Sequence, residues 1–361
     1  MLAALADRVV PILAFLLCIT VVADIADRAG LFEVIAQWAA RVSQGHIGRL
    51  WLLVVALATV CVAVLSLDTA AVLLTPVVIA LARRVRASPA LFAWTTVWLA
   101  NTASLFLPVS NLTNLIAMSH LHTDTRGFVA VLWLPAVTAV VVTVVLLWVV
   151  FRRDLRTPTL IDGRQDEGVS APSKPLLVLT AVVSAALIPA LAAGADVTYA
   201  SAVAAVILVI GAVVWLPSIL SVRMVPWLLI VGVALLFGLV ELAHTYGLLD
   251  WLIAGAGAGT SWLALLRLAG VGALSANVIN NLPAYLALEP AAGSAVRTGA
   301  LLIGVNAGPL VTPWASLATL LWAGRCRAGG VQVNWLTFGL RGLVLVLVTL
   351  VVCVTALWLV G

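Results

Sequence analysis

Two stretches of neutral hydrogen-bonding residues interrupt the long apolar runs of this chain. Residues 101–112 read NTASLFLPVSNL and residues 306–317 read NAGPLVTPWASL. Both follow the pattern Asn-x6-Pro-x2-[Asn/Ser]-Leu, so the same residue types recur at the same spacing in the two halves. Amides and hydroxyls can hydrogen-bond a small polar solute without carrying a charge. Apolar segments broken at matching places in two halves are typical of the binding site of a secondary transporter.

The candidate solute-binding residues lie in these stretches and at two further polar interruptions, residues 66–69 and 275–281. Some stand at predicted helix starts, where free N–H groups suit anions or oxygen ligands: Thr69, Ser110, Asn111, Asn277 and Ser316. Others add neutral hydrogen-bonding groups: Asn101, Thr102, Ser104, Asn114, Asn280, Asn281, Asn306, Thr312 and Thr319. The alternative for each is that it only satisfies backbone groups freed by the break.

Two acidic residues are candidates for coupling transport to a proton or cation. Asp68 is the one carboxylate at the interruption 66–69. An ionised acid at membrane depth is costly, so such a residue is a functional-site hypothesis by default. Its alternative role is a cap that accepts a hydrogen bond from a backbone N–H. Glu241 is the second candidate, although it comes late in an apolar run and could reach the interface with His244.

The composition places the chain in a membrane. Its 361 residues are 64% hydrophobic and only 9% charged, with a mean hydropathy of +1.22. The net charge of +5 fits the excess of basic residues in cytoplasmic loops, and we expect no nucleic-acid partner. The four scattered cysteines predict neither a disulfide framework nor a zinc site, and no phosphate-binding GxxxxGK[ST] motif occurs. We therefore expect a protein without a cofactor that is not an enzyme, with the lipid bilayer as its partner.

The apolar pattern predicts an all-α polytopic fold made of two repeats, residues 1–151 and 175–361, joined by a cytoplasmic linker at 152–174. Each repeat would hold a re-entrant hairpin, 49–86 or 261–290, followed by a broken span, 90–118 or 296–322. The arms of the first hairpin, residues 49–65 and 70–82, look too short to cross a hydrocarbon core of ~30 Å comfortably. Aligning the repeats places Pro76 on Pro283. Residues 24–47 predict an amphipathic helix in the interface plane after a short span at 9–23.

The orientation follows from counting crossings between the two hairpins. That number is odd, so the repeats are predicted to be inverted. One side then collects fifteen of the 19 basic residues, while the other receives Arg8, Arg126 and Arg297. The basic side should be cytoplasmic in the plasma membrane, with both termini outside. The spans predicted at 175–193 and 198–216 have no counterparts in the first repeat, so we expect a chain that is N-terminally short by about two helices.

Four strings resemble the arsenite efflux permease ArsB of the ion transporter superfamily. They are SLDTAAVLLTPVVIA from Ser66, NTASLFLPVSNLTNLIA from Asn101, SANVINNLPAYL from Ser275 and VNAGPLVTPWASLATLLW from Val305. The resemblance covers nearly the whole chain from about residue 10. It implies an elevator-type transporter that exchanges neutral arsenite or antimonite for protons, sometimes with a soluble ATPase partner.

The chain also departs from that family. Both broken spans of the family usually carry an acid where this chain has Asn101 and Asn306, and Leu310 replaces a typical lysine. The asparagines favour a neutral or anionic solute, because fewer negative charges would face it. The alternative function is sodium- or proton-coupled transport of a small anion such as a dicarboxylate, sulfate or another oxyanion. A homodimer is also a candidate assembly.

Overall fold

The computed structural model describes residues 2–156, 173–221 and 224–360, without the side chains of residues 2–8 and 192. These residues form sixteen α-helices and no strand. The first seven are α1 Leu2–Arg28, α2 Leu31–Val42, α3 Ile47–Leu65, α4 Leu67–Arg84, α5 Pro89–Thr102, α6 Leu112–His120 and α7 Thr125–Phe151. Two more follow, α8 Lys174–Ala192 and α9 Val197–Trp215. The last seven are α10 Trp227–Thr245, α11 Asp250–Ala256, α12 Trp262–Ile279, α13 Asn281–Leu288, α14 Ala295–Ala307, α15 Leu317–Ala328 and α16 Trp335–Val360.

The order of the first seven helices returns in the last seven. In each set a long helix precedes a short one, a pair of helices separated by one residue, two pieces of a broken helix and a long final helix. Helices α8 and α9 stand between the sets. The predicted all-α polytopic class is therefore confirmed. The opposed orientation of the two sets in a membrane stays a prediction.

Eight helices of the described residues are long and apolar enough to cross a membrane: α1, α3, α7, α8, α9, α10, α12 and α16. The expectation that the arms of the first hairpin are too short is wrong for its first arm, because α3 has the length and hydropathy of a membrane span. Helix α3 has 19 residues and α12 has 18, which at 1.5 Å per residue gives roughly 27 Å or more. The second arms differ, because α4 has 18 residues and α13 only 8.

The first span is longer than the sequence pattern indicated. Helix α1 continues through Asp24 to Arg28, and the amphipathic helix is only α2, which starts after Gly30 in a left-handed conformation (φ 84°). Asp24 and Arg28 lie one turn apart and pair at 2.8 Å within α1. The predicted boundary at residue 24 is therefore wrong, because an ion pair along one helix lets two charges continue an apolar span.

Helices α3 and α4 form a hairpin that turns at Ser66. The Trp51 indole N–H near the start of α3 donates to the Thr95 hydroxyl of α5 at 2.9 Å. Near the end of α3, the Ala63 carbonyl accepts from the Ser110 hydroxyl, beyond the end of α5, at 3.0 Å. Helix α3 therefore runs parallel to α5. Because α4 leads into α5 through a turn of four residues, it runs back along both, and the chain reverses at Ser66.

The first pieces of the two broken helices occupy the centre of the fold. Every residue of α5 from Leu91 to Thr102 and of α14 from Arg297 to Ala307 is buried. A Cβ atom at Gly304 of α14 would lie 2.2 Å from the Ala269 carbonyl oxygen of α12, so only glycine permits this approach. Helices that are surrounded by protein can break without exposing backbone groups to lipid.

The breaks themselves are short. Residues 103–111 separate α5 from α6 through two 3-10 turns, and residues 308–316 separate α14 from α15. Most of the predicted linker 152–174, together with Arg164 and Arg223 of the predicted cytoplasmic side, lies outside the described residues. The linker and the two repeat boundaries therefore stay predictions.

Candidate functional site

A cavity of about 190 Å³ lies at the tip of the first hairpin. Its polar lining comes from α1 and from the hairpin tip: Thr20, Asp24, Ser66, Asp68 and Thr69. Its apolar lining comes from α1, α4, α10 and α15: Leu16, Ala23, Val72, Leu73, Pro226, Leu229, Leu317 and Leu321. The lining therefore holds two acidic residues and three hydroxyl residues, and one of the acids, Asp24, is paired with Arg28 at 2.8 Å.

Asp68 stands between the cavity and the start of α15. Its side chain is half-buried, and its carboxylate accepts from the backbone N–H of Ala318 in the first turn of α15. A free N–H at a helix N-terminus stabilises negative charge. The Ser66 hydroxyl lies 3.1 Å from that of Thr69, one turn along the tip. The tip of the first hairpin is thus joined to the broken helix of the second half.

Asn306 connects the two broken helices through its side chain. Its Oδ1 accepts from Asn111 Nδ2 at 2.9 Å and from the Thr113 hydroxyl at 2.7 Å, and its Nδ2 donates to Asn114 Oδ1 at 2.6 Å. We call Asn306, Asn111, Thr113 and Asn114 the amide cluster. All four are at most 4% exposed. The cluster fastens the end of α14 to the start of α6.

The residues that correspond to the amide cluster by the repeat spacing lack such hydrogen bonds. Asn101 Oδ1, Ser316 Oγ and Thr319 Oγ1 are fully buried atoms without a hydrogen-bond partner. We call Asn101, Ser316 and Thr319 the unpartnered trio. By the repeat spacing they correspond to Asn306, Asn111 and Asn114. A buried polar group without a partner costs free energy, so this place suits a water molecule or a hydroxyl-bearing solute.

Asn277 organises the tip of the second hairpin. Its side chain donates to the Gly308 carbonyl at 2.8 Å and accepts from the backbone N–H groups of Val311 and Thr312. It lies in the last turn of α12, so its predicted place at a helix start is wrong. That place belongs to Asn280, whose side chain accepts from the Leu282 N–H. The neighbouring Asn281 N–H donates to the Ala315 carbonyl at 2.9 Å.

Other predicted residues bind backbone groups rather than open space. The Thr102, Ser104 and Ser110 hydroxyls donate to the carbonyls of Trp98, Asn101 and Ala63. Thr312 donates to the Asn277 carbonyl at 2.8 Å. Of the predicted solute-binding set, Thr69 lines the described cavity, next to Asp68.

The structure does not bring Glu241 to Asp68. It is exposed on α10, and Leu229, which lines the cavity from the same helix, is twelve residues away. That separation is about 18 Å along a helix axis.

Sequence reasoning missed four polar residues of this region, one of which is Ser66 at the hairpin tip. Asp24 was assigned to an interfacial helix, yet it lines the cavity beside Asp68. Thr20 sits one helical turn before it inside an apolar run. Thr113 completes the amide cluster, although it lies between two residues that were predicted. The i, i+4 spacing of Thr20, Asp24 and Arg28 was the available signal for a polar stripe on α1.

The model of the CitMHS family, described as a citrate transporter, matches residues 1–319. The chain belongs to this family. This chain also resembles the arsenical pump membrane protein of Escherichia coli, at 28% identity over 94% of this chain and 84% of that protein. The arsenical pump membrane protein of Yersinia enterocolitica is 27% identical over the same shares. These matches confirm the resemblance read from the sequence.

A solved structure has the same fold. The YdaH transporter of Alcanivorax borkumensis, whose crystal structure is described as having an unusual topology, aligns with a TM-score of 0.65 at 15% identity. The alignment covers 98% of this chain and 86% of that one. The structural match shows the fold alone; membership of a transporter family and the arsenical-pump relatives indicate that this CitMHS protein is a multi-pass membrane protein and a secondary transporter. Its solute and coupling ion are a separate question.

Proposed function

We propose that this protein carries arsenite or antimonite out of the cell in exchange for protons, with Asp68 as the coupling acid. The observation that carries the proposal is the lining of the cavity at the first hairpin tip, where Asp68 stands beside three hydroxyl residues and the second acid, Asp24, is paired with Arg28. Arsenite is a neutral trihydroxide, so it needs acceptors and hydroxyl partners rather than a cation. The relatives named arsenical pump membrane protein support the same solute.

The exchange follows from competition for one carboxylate. An ionised Asp68 accepts hydrogen bonds from the hydroxyls of the solute, with Ser66 and Thr69 beside it. A proton bound to Asp68 removes the negative charge and turns one of its oxygens into an O–H donor, so the carboxyl group accepts hydrogen bonds from the solute less strongly. The site therefore binds either the solute or the proton well, and this differential binding links their opposite movements. Burial beside the α15 N-terminus keeps bulk water from replacing the solute.

The unpartnered trio offers a second place for solute hydroxyls. Asn101 Oδ1 can only accept, whereas the Ser316 and Thr319 hydroxyls can donate or accept. Ser316 is the residue before Leu317, and Leu317 lines the cavity. A solute that passes the start of α15 could therefore bind first to Asp68 and then to the trio. The other predicted binding residues would support these two places through the amide cluster and Asn277.

Uptake of radiolabelled arsenite into inverted membrane vesicles tests the proposal. Wild-type vesicles should accumulate arsenite when a proton gradient is imposed, and Asp68→Asn should abolish the accumulation while leaving the protein folded. Glu241→Gln is the matched control, since it also neutralises an acid but lies away from the cavity, and it should transport normally. Intact transport by Asp68→Asn would remove the role assigned to Asp68. If the wild type did not accumulate arsenite, arsenite would be ruled out as the solute.

The second candidate is coupled transport of a small anion. The family description as a citrate transporter favours it, and so does the α15 N-terminus at the cavity, because helix N-termini attract anions. Asp68 already occupies that N-terminus, which weakens the case for a charged solute. The same vesicles with labelled citrate, succinate and sulfate decide between the candidates. The soluble ATPase partner, a homodimer and the outward position of both termini stay predictions.

A further inference from the structure

Glu289 is a buried carboxylate that lies outside the site described above. It follows α13 at the start of a 3-10 turn, Glu289–Ala292, and is 6% exposed. No other acidic residue among the described side chains is buried to this degree. Buried ionisable groups in membrane proteins are costly, and they usually face a specific partner.

Two side chains that can exchange protons surround this carboxylate. His120 Nδ1, on the last residue of α6, lies 3.6 Å from Glu289 Oε1. The Tyr285 hydroxyl donates to the same oxygen at 3.5 Å from one turn earlier on α13. Tyr285 is fully buried, whereas the His120 side chain is 37% exposed. Protons from solvent can therefore reach the pair through the imidazole.

The segment that carries Glu289 is held firmly by α14. Arg297 donates to the carbonyls of Ala291, Gly259 and Gly257 at 2.9, 2.7 and 2.6 Å. Thr298 donates to the Ala292 carbonyl at 3.2 Å. Three guanidinium nitrogens are thus occupied by backbone oxygens. The position of Glu289 is therefore set independently of His120, and α6 supplies the contact that can vary.

Other charged or titratable groups stand on the described elements packed around the pair. On the elements against α13 and the 3-10 turn they are Glu241 and His244 of α10, Asp250 of α11, Arg267 of α12 and Arg297 of α14. His244 lies 3.1 Å from the Leu286 carbonyl and Arg267 binds the Gly255 carbonyl at 2.8 Å. On α6 and in the turn after it they are His122 and Asp124, and on the described side chains of α1 they are Asp24, Asp27 and Arg28.

We propose that His120 and Glu289 form a proton-binding site that joins the two halves of the chain at the far end of α6. Histidine is the side chain that changes charge between about pH 5 and pH 8. A protonated imidazole places a positive charge 3.6 Å from the Glu289 carboxylate, whereas a neutral imidazole does not, so the attraction between the two side chains depends on a proton. The start of α6 is fastened to α14 by the amide cluster at any pH. Protonation of the pair therefore affects only the contact at the C-terminal end of α6, where this helix meets the second hairpin. This inference does not depend on which solute moves.

A double-mutant cycle at two pH values tests the site without measuring transport. Purified full-length protein in detergent is unfolded near pH 6 and near pH 8 as wild type, His120→Gln, Glu289→Gln and the double variant. Near pH 6 the two substitutions should be non-additive, with the double variant losing less in apparent Tm than the sum of the singles. Near pH 8 they should be additive. His122→Gln is the matched control: it removes an exposed histidine two residues further on, and the loss of stability between the two pH values should stay as in the wild type.

His120→Lys supplies an arm that does not need Glu289→Gln to fold. A lysine keeps its charge at both pH values, so this variant should hold near pH 8 the stability that His120→Gln lacks. Additive substitutions near pH 6, or equal stability of the lysine and glutamine variants near pH 8, would overturn the proposal. Because solute is absent from these measurements, the result is independent of the arsenite experiment.

Discussion

The two broken helices meet their partners in different ways. In one crossing, the Asn306 side chain is bound by three residues at the start of α6. At the repeat-related positions, Asn101 lies in the last turn of α5, and a serine and a threonine at the start of α15 take the places of the two asparagines. The side chains of serine and threonine end at a hydroxyl on Cβ, whereas that of asparagine carries a longer carboxamide group. The missing length leaves the oxygens of Asn101, Ser316 and Thr319 without partners.

This difference teaches which half is fixed and which half can accept a ligand. A fully satisfied polar cluster rigidifies its surroundings, whereas buried groups without partners gain free energy from any small molecule that can bond them. A duplicated fold can therefore keep one crossing as a fastening and turn the other into a binding place.

Asn306→Ala should destabilise the protein far more than Asn101→Ala. The first change removes three hydrogen bonds and leaves Asn111, Thr113 and Asn114 with unsatisfied buried groups, for a cost of roughly 2–4 kcal/mol. The second removes the Asn101 bond to the Val97 carbonyl, at 3.0 Å, and relieves one unpartnered oxygen, so about 1 kcal/mol is expected. Denaturant titration in mixed micelles measures both. Equal losses would mean that the two crossings are equivalent and that the comparison fails.

Ser316→Asn combined with Thr319→Asn should convert the second crossing into a copy of the first. The added amides can reach Asn101, and satisfying the buried atoms should raise the free energy of unfolding by about 1–2 kcal/mol. The same change fills the place proposed for solute hydroxyls, so arsenite uptake should fall by at least tenfold, about 1.4 kcal/mol of binding.

The two readouts separate the explanations of the unpartnered trio. A more stable variant with normal uptake would show that the trio is structural. A less stable variant would show that no room exists for the longer side chains, since overpacking is also destabilising. Ser316→Asn alone is the control, because it fills part of the gap and should give an intermediate stability.

The sequence predicted the breaks well because local chemistry determines them. The cap at Asn111, whose side chain accepts from the Thr113 N–H, could be inferred from asparagine after a proline before an apolar run. The positions at which the hairpins turn could not be predicted from the sequence. Aligning Pro76 with Pro283 is wrong as a structural equivalence, because the turns occur at Ser66 and Asn280, ten residues and three residues before those prolines. Proline is tolerated in the first turn of α13 and inside α4, so it does not mark the turn.

Contacts between the two halves could also not be predicted from the sequence. Nothing local indicates that Asn306 binds α6, that Asp68 meets Ala318, or that Glu289 meets His120. Each pair is distant in the chain and is set by how the helices pack. Candidate residues could therefore be chosen by type, but the assignment of each one to a cluster, a cavity or a backbone bond needed the fold.

The hairpin tips give the smallest but most direct comparison of the halves. Ser66 has φ 83° and ψ 158°, and Asn280 has φ 98° and ψ 154°. This region is almost exclusive to glycine and costs other residues about 1–3 kcal/mol. Both tips therefore hold the same strained turn, although their sequences differ. What differs is the use of the side chain: the Ser66 hydroxyl hydrogen-bonds Thr69 within the same tip, whereas the Asn280 amide donates to the Trp314 carbonyl at 2.8 Å.

Ser66→Gly should consequently stabilise the protein by roughly 0.5–1 kcal/mol, because relief of strain exceeds the conformational entropy that glycine adds to the unfolded chain. Asn280→Gly relieves the same strain but loses the bond to Trp314 and the cap on Leu282, so its net effect should be near zero. Unfolding of the two variants in the same micelles measures the difference. If Ser66→Gly were the more damaging change, the serine side chain would be needed at the tip, and the cavity beside Asp68 would depend on that hydroxyl as well as on the turn.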